Sequence, residues 1–272
     1  MRLKDRIAVV TGGGGGLGEG ICLCLAREGA DVVVSDLKLE LAEQTAAKVR
    51  DAGRRAWAVA TDVRMADQVQ DLIDLSLSEA GGLDILVCCA GVFGHAGRKP
   101  SDGPMTIESI SEQDWDLTID VNLKGVFLCN RAALPHFKKQ KKGRIINISS
   151  VGGRKGVDFL AHYTASKAGV IVLTQAMAGN LAPYGVTANT VCPGIIWTPM
   201  WAQGVEVLSQ THEAFKGTDP EQVFNILVQS QIPLKRAQTP EDIGNAVVFL
   251  ASDEASEITG QALNVCGGMA FN

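Results

Sequence analysis

Short apolar runs rich in Val and Ile alternate with longer amphipathic stretches along almost the whole chain, and this alternation restricts the fold more than any other feature. Seven runs have the length and composition of β-strands: Ile7–Thr11, Asp31–Ser35, Ala56–Thr61, Ile85–Cys89, Arg144–Ser149, Thr187–Cys192 and Ala262–Val265. Most are continuously apolar, as expected of strands that are covered on both faces. Strands that alternate with helices favour parallel pairing with right-handed crossovers.

The stretches between the strands carry helix signals. Leu37–Ala52 and Met65–Glu79 place Leu, Ala and Val at helical spacing. Ser111 followed by acidic residues is typical of a helix start, and so is Thr239 followed by Pro-Glu-Asp. We therefore predict a single domain over residues 1–272. It is a doubly wound parallel α/β sheet, a Rossmann fold of about seven strands with helices on both faces.

Composition excludes several classes of protein. The 272 residues are 46% hydrophobic, which is enough to bury one sizeable core. A net charge of −5 offers no footprint for nucleic acid, and Gly or charged residues interrupt every candidate membrane span. The seven Cys residues have neither a zinc-ligand spacing nor the density of a disulfide scaffold. We expect reduced thiols, no metal and a cytoplasmic location.

A glycine-rich turn follows the first strand and leads into a helical pattern. It reads Thr-Gly-Gly-Gly-Gly-Gly-Leu-Gly, and two registers fit known phosphate-binding turns: Gly13, Gly15 and Gly18, or Gly12, Gly16 and Gly18. Glycines let a backbone approach a pyrophosphate, while the next helix offers free N–H groups. Within a strand-turn-helix unit this predicts dinucleotide binding.

Asp36 at the end of the second strand points to the type of dinucleotide. An acidic residue about 20 positions after the turn is the expected partner of a ribose hydroxyl. A carboxylate accepts the 2′-hydroxyl of NAD and repels the 2′-phosphate of NADP, and no Lys or Arg stands in the turn to offset that repulsion. We expect NAD, with nearby Lys38 as the feature that opposes this prediction.

Tyr163 and Lys167 lie at the start of a long helical pattern and, four residues apart, share one face. An ammonium favours the phenolate, so we expect Lys167 to lower the pKa of Tyr163 into a range useful for proton transfer. Ser149 and Ser150 follow a strand at its carboxyl end, where a hydroxyl either caps a turn or binds a substrate oxygen. Asn122 is placed at the opening of another helix, where a cap is the simplest role.

Taken together, these motifs resemble the classical branch of the short-chain dehydrogenase/reductase family over essentially the whole chain. The resemblance rests on Thr11-Gly-x-x-x-Gly-x-Gly18, Asp62-Val63, Ala90-Gly91, Asn122, Ser150, Tyr163-x-x-x-Lys167 and Pro193-Gly194 with Thr198, in the family's order and spacing. It implies an oxidoreductase acting on secondary alcohols or ketones, and a homotetramer or homodimer.

The resemblance also implies roles for individual residues. Asn122, Ser150, Tyr163 and Lys167 match the catalytic residues. Ser150 would hold the substrate oxygen, Tyr163 would transfer the proton, Lys167 would assist it and hold the nicotinamide ribose, and Asn122 would position a relay water. The residues expected to contact the cofactor, besides Tyr163 and Lys167, are Gly12, Gly15, Gly16, Leu17, Gly18, Asp36, Asp62, Val63, Ala90, Gly91, Pro193, Ile196 and Thr198.

One departure from the family is visible after the fourth strand. The family usually has Asn-Asn-Ala-Gly there, and this chain has Cys88-Cys-Ala-Gly91. Cys89 lacks the side-chain amide that normally joins neighbouring strands, which questions local sheet stability more than catalysis. A redox role for the adjacent cysteines is disfavoured because neighbouring strand residues point to opposite faces.

The substrate is the least determined feature. We expect a substrate loop at about residues 194–234, with Trp197, Met200 and Trp201 as substrate contacts beside Ser150 and Tyr163. The segment 192–201 and the C-terminus resemble acetoin/diacetyl reductases and polyol dehydrogenases of the family. This suggests a small or medium uncharged alcohol, diol or hydroxyketone.

Other readings stay open. The stretch Val92–Met105, with His95, Arg98 and Lys99, would suit a larger or an acidic substrate, and Arg154 is a further basic candidate. A 3-oxoacyl-carrier-protein reductase using NADPH is one alternative function. A non-catalytic protein that senses a dinucleotide or acts as a scaffold is another, disfavoured by the complete Asn-Ser-Tyr-Lys set.

Overall fold

The computed structural model describes residues 1–94, 105–157 and 159–272. Its centre is one parallel sheet of seven strands in the order β3-β2-β1-β4-β5-β6-β7. The strands are β1 (Ile7–Thr11), β2 (Asp31–Asp36), β3 (Ala56–Ala60), β4 (Ile85–Cys88), β5 (Gly143–Ile148), β6 (Val186–Pro193) and β7 (Ala262–Val265). The order reverses between β1 and β4, where the carboxyl ends of the two strands open a crevice suited to a ligand.

The α-helices that cover the sheet are α1 (Gly16–Arg27), α2 (Leu39–Asp51), α3 (Ala66–Leu75), α4 (Glu112–Ile119), α5 (Gly125–Gln140), α6 (Ala161–Leu181), α7 (Pro199–Thr211), α8 (Pro220–Gln231) and α9 (Pro240–Ala251). The two predicted helix starts are confirmed. Ser111 accepts a hydrogen bond from the backbone N–H of Asp114, and Thr239 forms a reciprocal capping box with Asp242.

The fold class is confirmed, and all seven predicted strands are present with ends displaced by no more than a residue. The reason is burial on both faces. β1 and β4 are buried along their whole length, so each appears in the sequence as a largely apolar run. β5 is equally buried but contains Arg144 and Asn147, whose side chains are hydrogen-bonded. Side chains that alternate along the strands fill two core clusters, one on each side of the sheet.

The prediction that Asn122 opens a helix is wrong. Asn122 lies in a π-helical turn, Asp120–Lys124, that joins α4 and α5 without a break. Its side chain is fully buried and caps nothing. The apolar spacing through this region is helical on both sides of the turn, so the sequence pattern does not reveal the extra residue that a π turn inserts.

The segment at 194–234 is a helical lobe rather than an extended loop. Its helices α7 and α8 enclose an apolar cluster of their own, formed by Ile195, Val205, Val223, Phe224, Val228 and Ile232. Apolar residues at helical spacing produce this small core, which stands beside the carboxyl end of the sheet. Among the described residues, no helix is both long enough and apolar enough to span a bilayer.

Candidate active site

The glycine-rich turn adopts the second of the two registers. Gly12 and Gly16 have positive φ angles of 66° and 51°. A Cβ on Gly12 would lie 2.6 Å from the Ala90 Cα, and a Cβ on Gly18 would collide with the Gly12 carbonyl oxygen. These positions therefore require glycine for conformation or space, which accounts for the spacing Gly12, Gly16 and Gly18.

Gly15 differs from its neighbours because it faces open space rather than other protein atoms. A Cβ there would meet nothing within 4 Å, and Gly15 forms the N-cap of α1. The first-turn N–H groups of a helix have no partner inside the helix and carry the positive end of its dipole. The open space and these N–H groups fit a dinucleotide pyrophosphate. Leu17 of the same turn packs onto the core and fixes the helix start.

Asp36 stands directly against this turn. Its Oδ2 accepts a hydrogen bond from the Gly14 N–H at 3.0 Å, and its Oδ1 accepts one from the Lys38 N–H at 3.2 Å. The two bonds hold the carboxylate at the carboxyl end of β2, beside the space next to Gly15. A ribose hydroxyl can donate to a carboxylate in this place, whereas a phosphate would meet its negative charge.

The other predicted adenosine contacts follow β3 and β4. Asp62 forms an ion pair with Arg64 at 2.6 Å, and this guanidinium lowers the pKa of the Asp62 carboxyl. Val63 is buried. Beyond β4, the N–H groups of Cys89 and Ala90 donate to the Thr11 hydroxyl at 3.2 and 3.5 Å. The Thr11 hydroxyl thus supplies a link between β1 and β4 in the region where the usual asparagine amide is missing.

The cysteine pair after β4 behaves as the strand geometry predicts. Cys88 packs in one core cluster and Cys89 packs against the other, so the two thiols lie on opposite faces of the sheet. All seven cysteines are free. Burial raises the pKa of Cys89 to about 12, which keeps this thiol protonated and unreactive at neutral pH.

Ser150, Tyr163 and Lys167 come together at the carboxyl end of β5. Tyr163 and Lys167 lie in the first two turns of α6, with the Lys167 Nζ 5.7 Å from the centre of the phenol ring. The Tyr163 phenol shares a hydrogen bond with the Ser150 hydroxyl. The Lys167 Nζ donates to the Ile148 carbonyl oxygen at 3.0 Å, which fixes the ammonium over the strand end.

The two titratable groups have pKa values shifted by burial. Burial raises the pKa of Tyr163 to about 12, and the hydrogen bond with Ser150 opposes this rise. Burial also lowers the pKa of Lys167 to about 8. In the protein alone, the cost of burying the phenolate exceeds the stabilisation that its neighbours provide. The lowering of the Tyr163 pKa by Lys167 therefore stays a prediction for the complex with cofactor.

Asn122 joins the π turn to the segment after β4. Its Nδ2 donates to the Val92 carbonyl oxygen at 2.9 Å and to the Ser166 Oγ at 3.1 Å, and its Oδ1 accepts from the Val92 N–H at 2.8 Å. Both amide hydrogens are used within the protein, so the side chain of Asn122 holds other parts of the site in position. Its expected role in positioning a relay water stays a prediction.

Gly91 lies where these residues converge. A Cβ on Gly91 would stand 3.3 Å from the Asn122 Oδ1 and 3.3 Å from the Lys167 Nζ. The predicted Ala90-Gly91 pair is therefore next to the catalytic candidates, and any larger side chain at Gly91 would crowd both. The absence of a side chain keeps the crevice between β1 and β4 open at this point.

The predicted nicotinamide contacts follow β6, which ends at Pro193. Ile196 is buried and pairs with Gln238 through a parallel bridge. Thr198 caps α7 by accepting a hydrogen bond from the Trp201 N–H. Thr198 also lies close to the glycine-rich turn, since a Cβ added to Gly16 would be 3.5 Å from the Thr198 Cβ. The segment after β6 thus reaches across to the glycine-rich turn, as contact with one cofactor requires.

The three predicted substrate contacts have different surroundings. Trp201 packs onto the apolar cluster of the helical lobe, with its ring 6.1 Å from that of Phe224. Trp197 is 44% exposed, and its ring lies 4.8 Å from Phe224. Met200 is partly buried on a third side of α7. His95, Arg98 and Lys99 lie outside the described residues.

Trp197 also borders a groove of about 570 Å³ between α7 and α8. Its other lining residues are Pro199, Ala202, Gln203, Glu206, Asp219, Pro220 and Glu221. The described lining contains three carboxylates and no Lys or Arg. The groove holds none of the catalytic candidates.

Sequence reasoning missed several residues that shape the site. A Cβ on Gly153 would lie 2.7 Å from the Lys167 backbone carbon, so this glycine lets the turn after Ser150 pack closely against α6. Ser166 receives the hydrogen bond from Asn122. Phe93 packs edge-on against Tyr163. The Gly152-Gly153 pair after the end of a strand could have been used to predict the close packing there. Nothing in the local sequence indicated the roles of Ser166 or Phe93.

Comparison with known proteins agrees with this geometry. A family model described as enoyl-(acyl carrier protein) reductase matches residues 13–270. The chain is 40% identical over 263 residues to 3-oxoacyl-(acyl-carrier-protein) reductase FabG of Staphylococcus aureus, covering 96% of this chain and 97% of that protein. It is 36% identical over 271 residues to cyclopentanol dehydrogenase of Comamonas testosteroni, covering 100% of this chain and 99% of that protein.

Solved structures give the same picture. NAD⁺-bound xylitol dehydrogenase matches with a TM-score of 0.90 at 30% identity, covering 98% of this chain and 100% of that chain. A variant of actinorhodin polyketide ketoreductase with NADPH matches with a TM-score of 0.88 at 33% identity, covering 97% of each chain. One neighbour therefore contains NAD⁺ and the other NADPH, both on this fold.

Proposed function

The chain belongs to the classical short-chain dehydrogenase/reductase family, whose members bind a nicotinamide dinucleotide, and on this premise we propose that it is an NAD-dependent oxidoreductase that interconverts a secondary alcohol and a ketone. The observation that carries the proposal is the convergence of Ser150, Tyr163 and Lys167 at the carboxyl end of β5. A hydroxyl, a phenol and an ammonium on one side of the crevice can bind a substrate oxygen and move its proton.

In the proposed mechanism Ser150 donates a hydrogen bond to the substrate oxygen, and Tyr163 exchanges the proton with it. The cofactor, when bound, supplies or accepts the hydride. Lys167 provides positive charge beside the phenol, and its hydrogen bond to the Ile148 carbonyl keeps the ammonium in place. The residues that would hold the cofactor are the glycine-rich turn, Asp36, and the predicted contacts that follow β3, β4 and β6.

The shifted pKa values favour one direction of proton transfer in the protein alone. A Tyr163 pKa of about 12 keeps the phenol protonated at neutral pH, which suits a proton donor to a nascent alkoxide. Oxidation of an alcohol needs the phenolate, and its formation depends on positive charge close to the ring. Lys167, with a pKa of about 8, supplies that charge at neutral pH.

NAD is supported over NADP by the placement of Asp36. Its carboxylate is held against the turn by the N–H groups of Gly14 and Lys38. Arg64 is the basic residue that follows β3, and its guanidinium is already paired with Asp62. A 2′-phosphate would therefore face a carboxylate without a cation supplied by Arg64 to offset it.

An uncharged substrate is supported by the acidic groove beside Trp197, which lies apart from the catalytic candidates, and by the bonds that Arg154 already makes. The described lining of the groove beside Trp197 is acidic, through Glu206, Asp219 and Glu221. Arg154, the basic candidate for holding an acidic substrate, donates to Asn264 at 3.1 Å and to the Ala262 carbonyl at 2.8 Å. These bonds anchor β7 and occupy the guanidinium.

The second candidate is a 3-oxoacyl-carrier-protein reductase, which the 40% identity to FabG supports. Against it, we propose that an acidic carrier docks poorly on the face that carries the groove beside Trp197, because three carboxylates line it. The complete set of catalytic candidates also opposes a purely sensing or scaffolding role. We further propose that the chain works in the cytoplasm as one domain, as a homodimer or homotetramer. The exposed apolar side chains of Phe127 and Val172 on α5 and α6 support self-association.

One panel of substrates tests these proposals. Purified protein is assayed with NAD⁺ and NADP⁺ against butane-2,3-diol, cyclohexanol and 3-hydroxybutyrate, and with NADH and NADPH against a 3-oxoacyl thioester on coenzyme A and on acyl carrier protein. The expected result is turnover of the uncharged alcohols with NAD⁺. Turnover restricted to carrier-bound thioesters with NADPH would replace the first candidate by the second, and a preference for 3-hydroxybutyrate would overturn the uncharged substrate.

A further inference from the structure

Phe93 occupies the space immediately beside the catalytic tyrosine. Its ring meets that of Tyr163 edge-on, with centroids 4.7 Å apart and planes inclined by 81°. The backbone of the preceding residue, Val92, is held by two hydrogen bonds to Asn122. The ring is therefore attached to a fixed backbone, and its packing neighbours limit where it can move.

Gly204 of α7 is a second neighbour of the Phe93 ring. A Cβ on Gly204 would be 3.8 Å from the Phe93 Cε2, and no other heavy atom among its described neighbours lies within 4 Å. Met200 shares this face, one turn earlier. Val205 and Trp201 face the lobe's apolar cluster, and Gln203 faces the groove beside Trp197. Gly204 is thus the point at which α7 approaches Phe93.

Packing does not explain a glycine at this position. An alanine would make only an ordinary contact with the Phe93 ring, and the φ angle of Gly204 is not positive. Glycine in the middle of a helix is less stable than alanine by about 1 kcal/mol. Among the described residues, what the glycine provides is room for about one methyl group beside the Phe93 ring.

We propose that Phe93 and Gly204 together determine the size of the substrate, and that the pocket takes a secondary alcohol or ketone with a ring or branched apolar substituent in preference to a small diol. This inference rests on the proposed function. The edge-on ring narrows the space at Tyr163, and a bulky substituent fits only when the ring moves toward Gly204. The face of Phe93 then covers the substituent and excludes water from it.

The test compares two alcohols, butan-2-ol and cyclohexanol, in four variants. Gly204→Ala removes the room behind Phe93, and Phe93→Ala removes the ring itself. The double variant joins the two changes. Gly179→Ala is the matched control, because it also replaces a helical glycine whose Cβ would meet nothing within 4 Å, on the distant part of α6. Thermal unfolding of each variant checks that it folds.

Gly204→Ala is expected to lower kcat/KM for cyclohexanol roughly tenfold or more relative to butan-2-ol, the size of effect that one methyl group has in a pocket. In the Phe93→Ala background the same alanine should have little effect, since no ring remains to be blocked. Gly179→Ala should leave the ratio unchanged.

Two results would overturn the inference while the proposed function stands. One is an equal effect of Gly204→Ala on both alcohols, and the other is a shift that persists when Phe93 is alanine. A third result, wild-type turnover of butane-2,3-diol in preference to cyclohexanol, would overturn the size selection as well. Wild-type protein that turns over no alcohol or ketone of the panel would instead contradict the proposed function, and the size selection would fall with it. The two failures are therefore distinguished by the wild-type rates alone.

Discussion

The side-chain amide of Asn122 pairs with both backbone groups of Val92, accepting from the N–H at 2.8 Å and donating to the carbonyl oxygen at 2.9 Å. The amide thus forms the same two hydrogen bonds that a neighbouring strand would form, and it joins the π turn to the segment after β4. It places Phe93 against Tyr163 and lines up the π turn with α6. A residue that matches the catalytic set by sequence thus acts by positioning other groups.

Asn122→Ala should therefore destabilise the protein as well as impair turnover. Two partly buried backbone groups of Val92 lose their partners, at a cost of roughly 2–4 kcal/mol. Chemical denaturation and steady-state kinetics measure the two effects. Asn180→Ala, at an exposed asparagine, is the control and should change neither. A variant with wild-type stability would show that Val92 does not depend on Asn122.

Tyr163→Phe should abolish turnover while dinucleotide binding persists. Loss of a general acid costs about 10²–10⁴-fold in rate. The protein has one other tyrosine, Tyr184, which lies beyond the far end of α6 and serves as the matched control. Turnover is followed by NADH absorbance and binding by NADH fluorescence. Retention of more than about a tenth of the wild-type kcat would contradict the assignment of the proton donor.

Wild-type protein should prefer NAD⁺ to NADP⁺ by at least about tenfold in kcat/KM, equivalent to about 1.4 kcal/mol. Asp36→Asn should narrow the gap, because the amide keeps an acceptor for the Gly14 N–H and removes the charge that faces a 2′-phosphate. Asp51→Asn removes the same charge from an exposed site and should leave the ratio alone. A wild-type preference for NADP⁺ would reverse the cofactor assignment and direct attention to Lys38.

The buried ammonium of Lys167 should make stability depend on pH. Burial lowers its pKa from an ordinary 10.5 to about 8, so the unfolded chain holds more protons than the folded chain between these values. The free energy of unfolding therefore increases with pH between about pH 8 and pH 10.5. Below about pH 8, the contribution of Lys167 to this free energy is constant and at its most unfavourable.

Lys167→Met lacks this titration. Measured without cofactor, its stability relative to wild type should be greatest at neutral pH and should decline by roughly 2–3 kcal/mol toward about pH 10.5. Denaturation curves across this range provide the measurement. Lys155→Met, at an exposed lysine, should follow the wild-type profile. Parallel curves for wild type and Lys167→Met would mean that the ammonium keeps its ordinary pKa.

Replacing two glycines of the same turn with alanine should affect different properties, stability in one case and cofactor binding in the other. At Gly18 a Cβ would collide with the Gly12 carbonyl, and Gly18→Ala should destabilise the fold by about 1–3 kcal/mol or more. At Gly15 a Cβ enters open space, so Gly15→Ala should fold normally. It should nevertheless weaken NADH binding by roughly tenfold or more, about 1.4 kcal/mol, if a pyrophosphate occupies that space. Unchanged binding would place the pyrophosphate elsewhere.

The strands and most helices were predictable because they depend on local patterns. A strand buried on both faces is mostly apolar, as β1 and β4 are, and a helix cap such as Thr239 needs only residues within one turn. The pair Tyr163 and Lys167 was also local, because helical periodicity alone places residues four apart on one face.

The register of the glycine-rich turn does not depend on local sequence alone. Five consecutive glycines fit two patterns, and only the family resemblance favoured the second. Its structural reason lies in contacts distant in sequence, because Gly12 packs against Ala90 while Gly15 borders open space. The π turn at Asn122 was hidden for a related reason. An inserted residue changes which side chain faces the core, and only the packing of α6 and the segment after β4 identifies it.

The sequence by itself determined the order of strands and helices, the glycine-rich turn, and the chemistry offered by Ser150, Tyr163 and Lys167, since these follow from residue type and short-range spacing. Only the tertiary structure decided the pKa of Tyr163, the positioning role of Asn122 and the meeting of Phe93 with Gly204. Each of these depends on burial or on contact between segments far apart in the chain, and spacing along the sequence does not encode such distances.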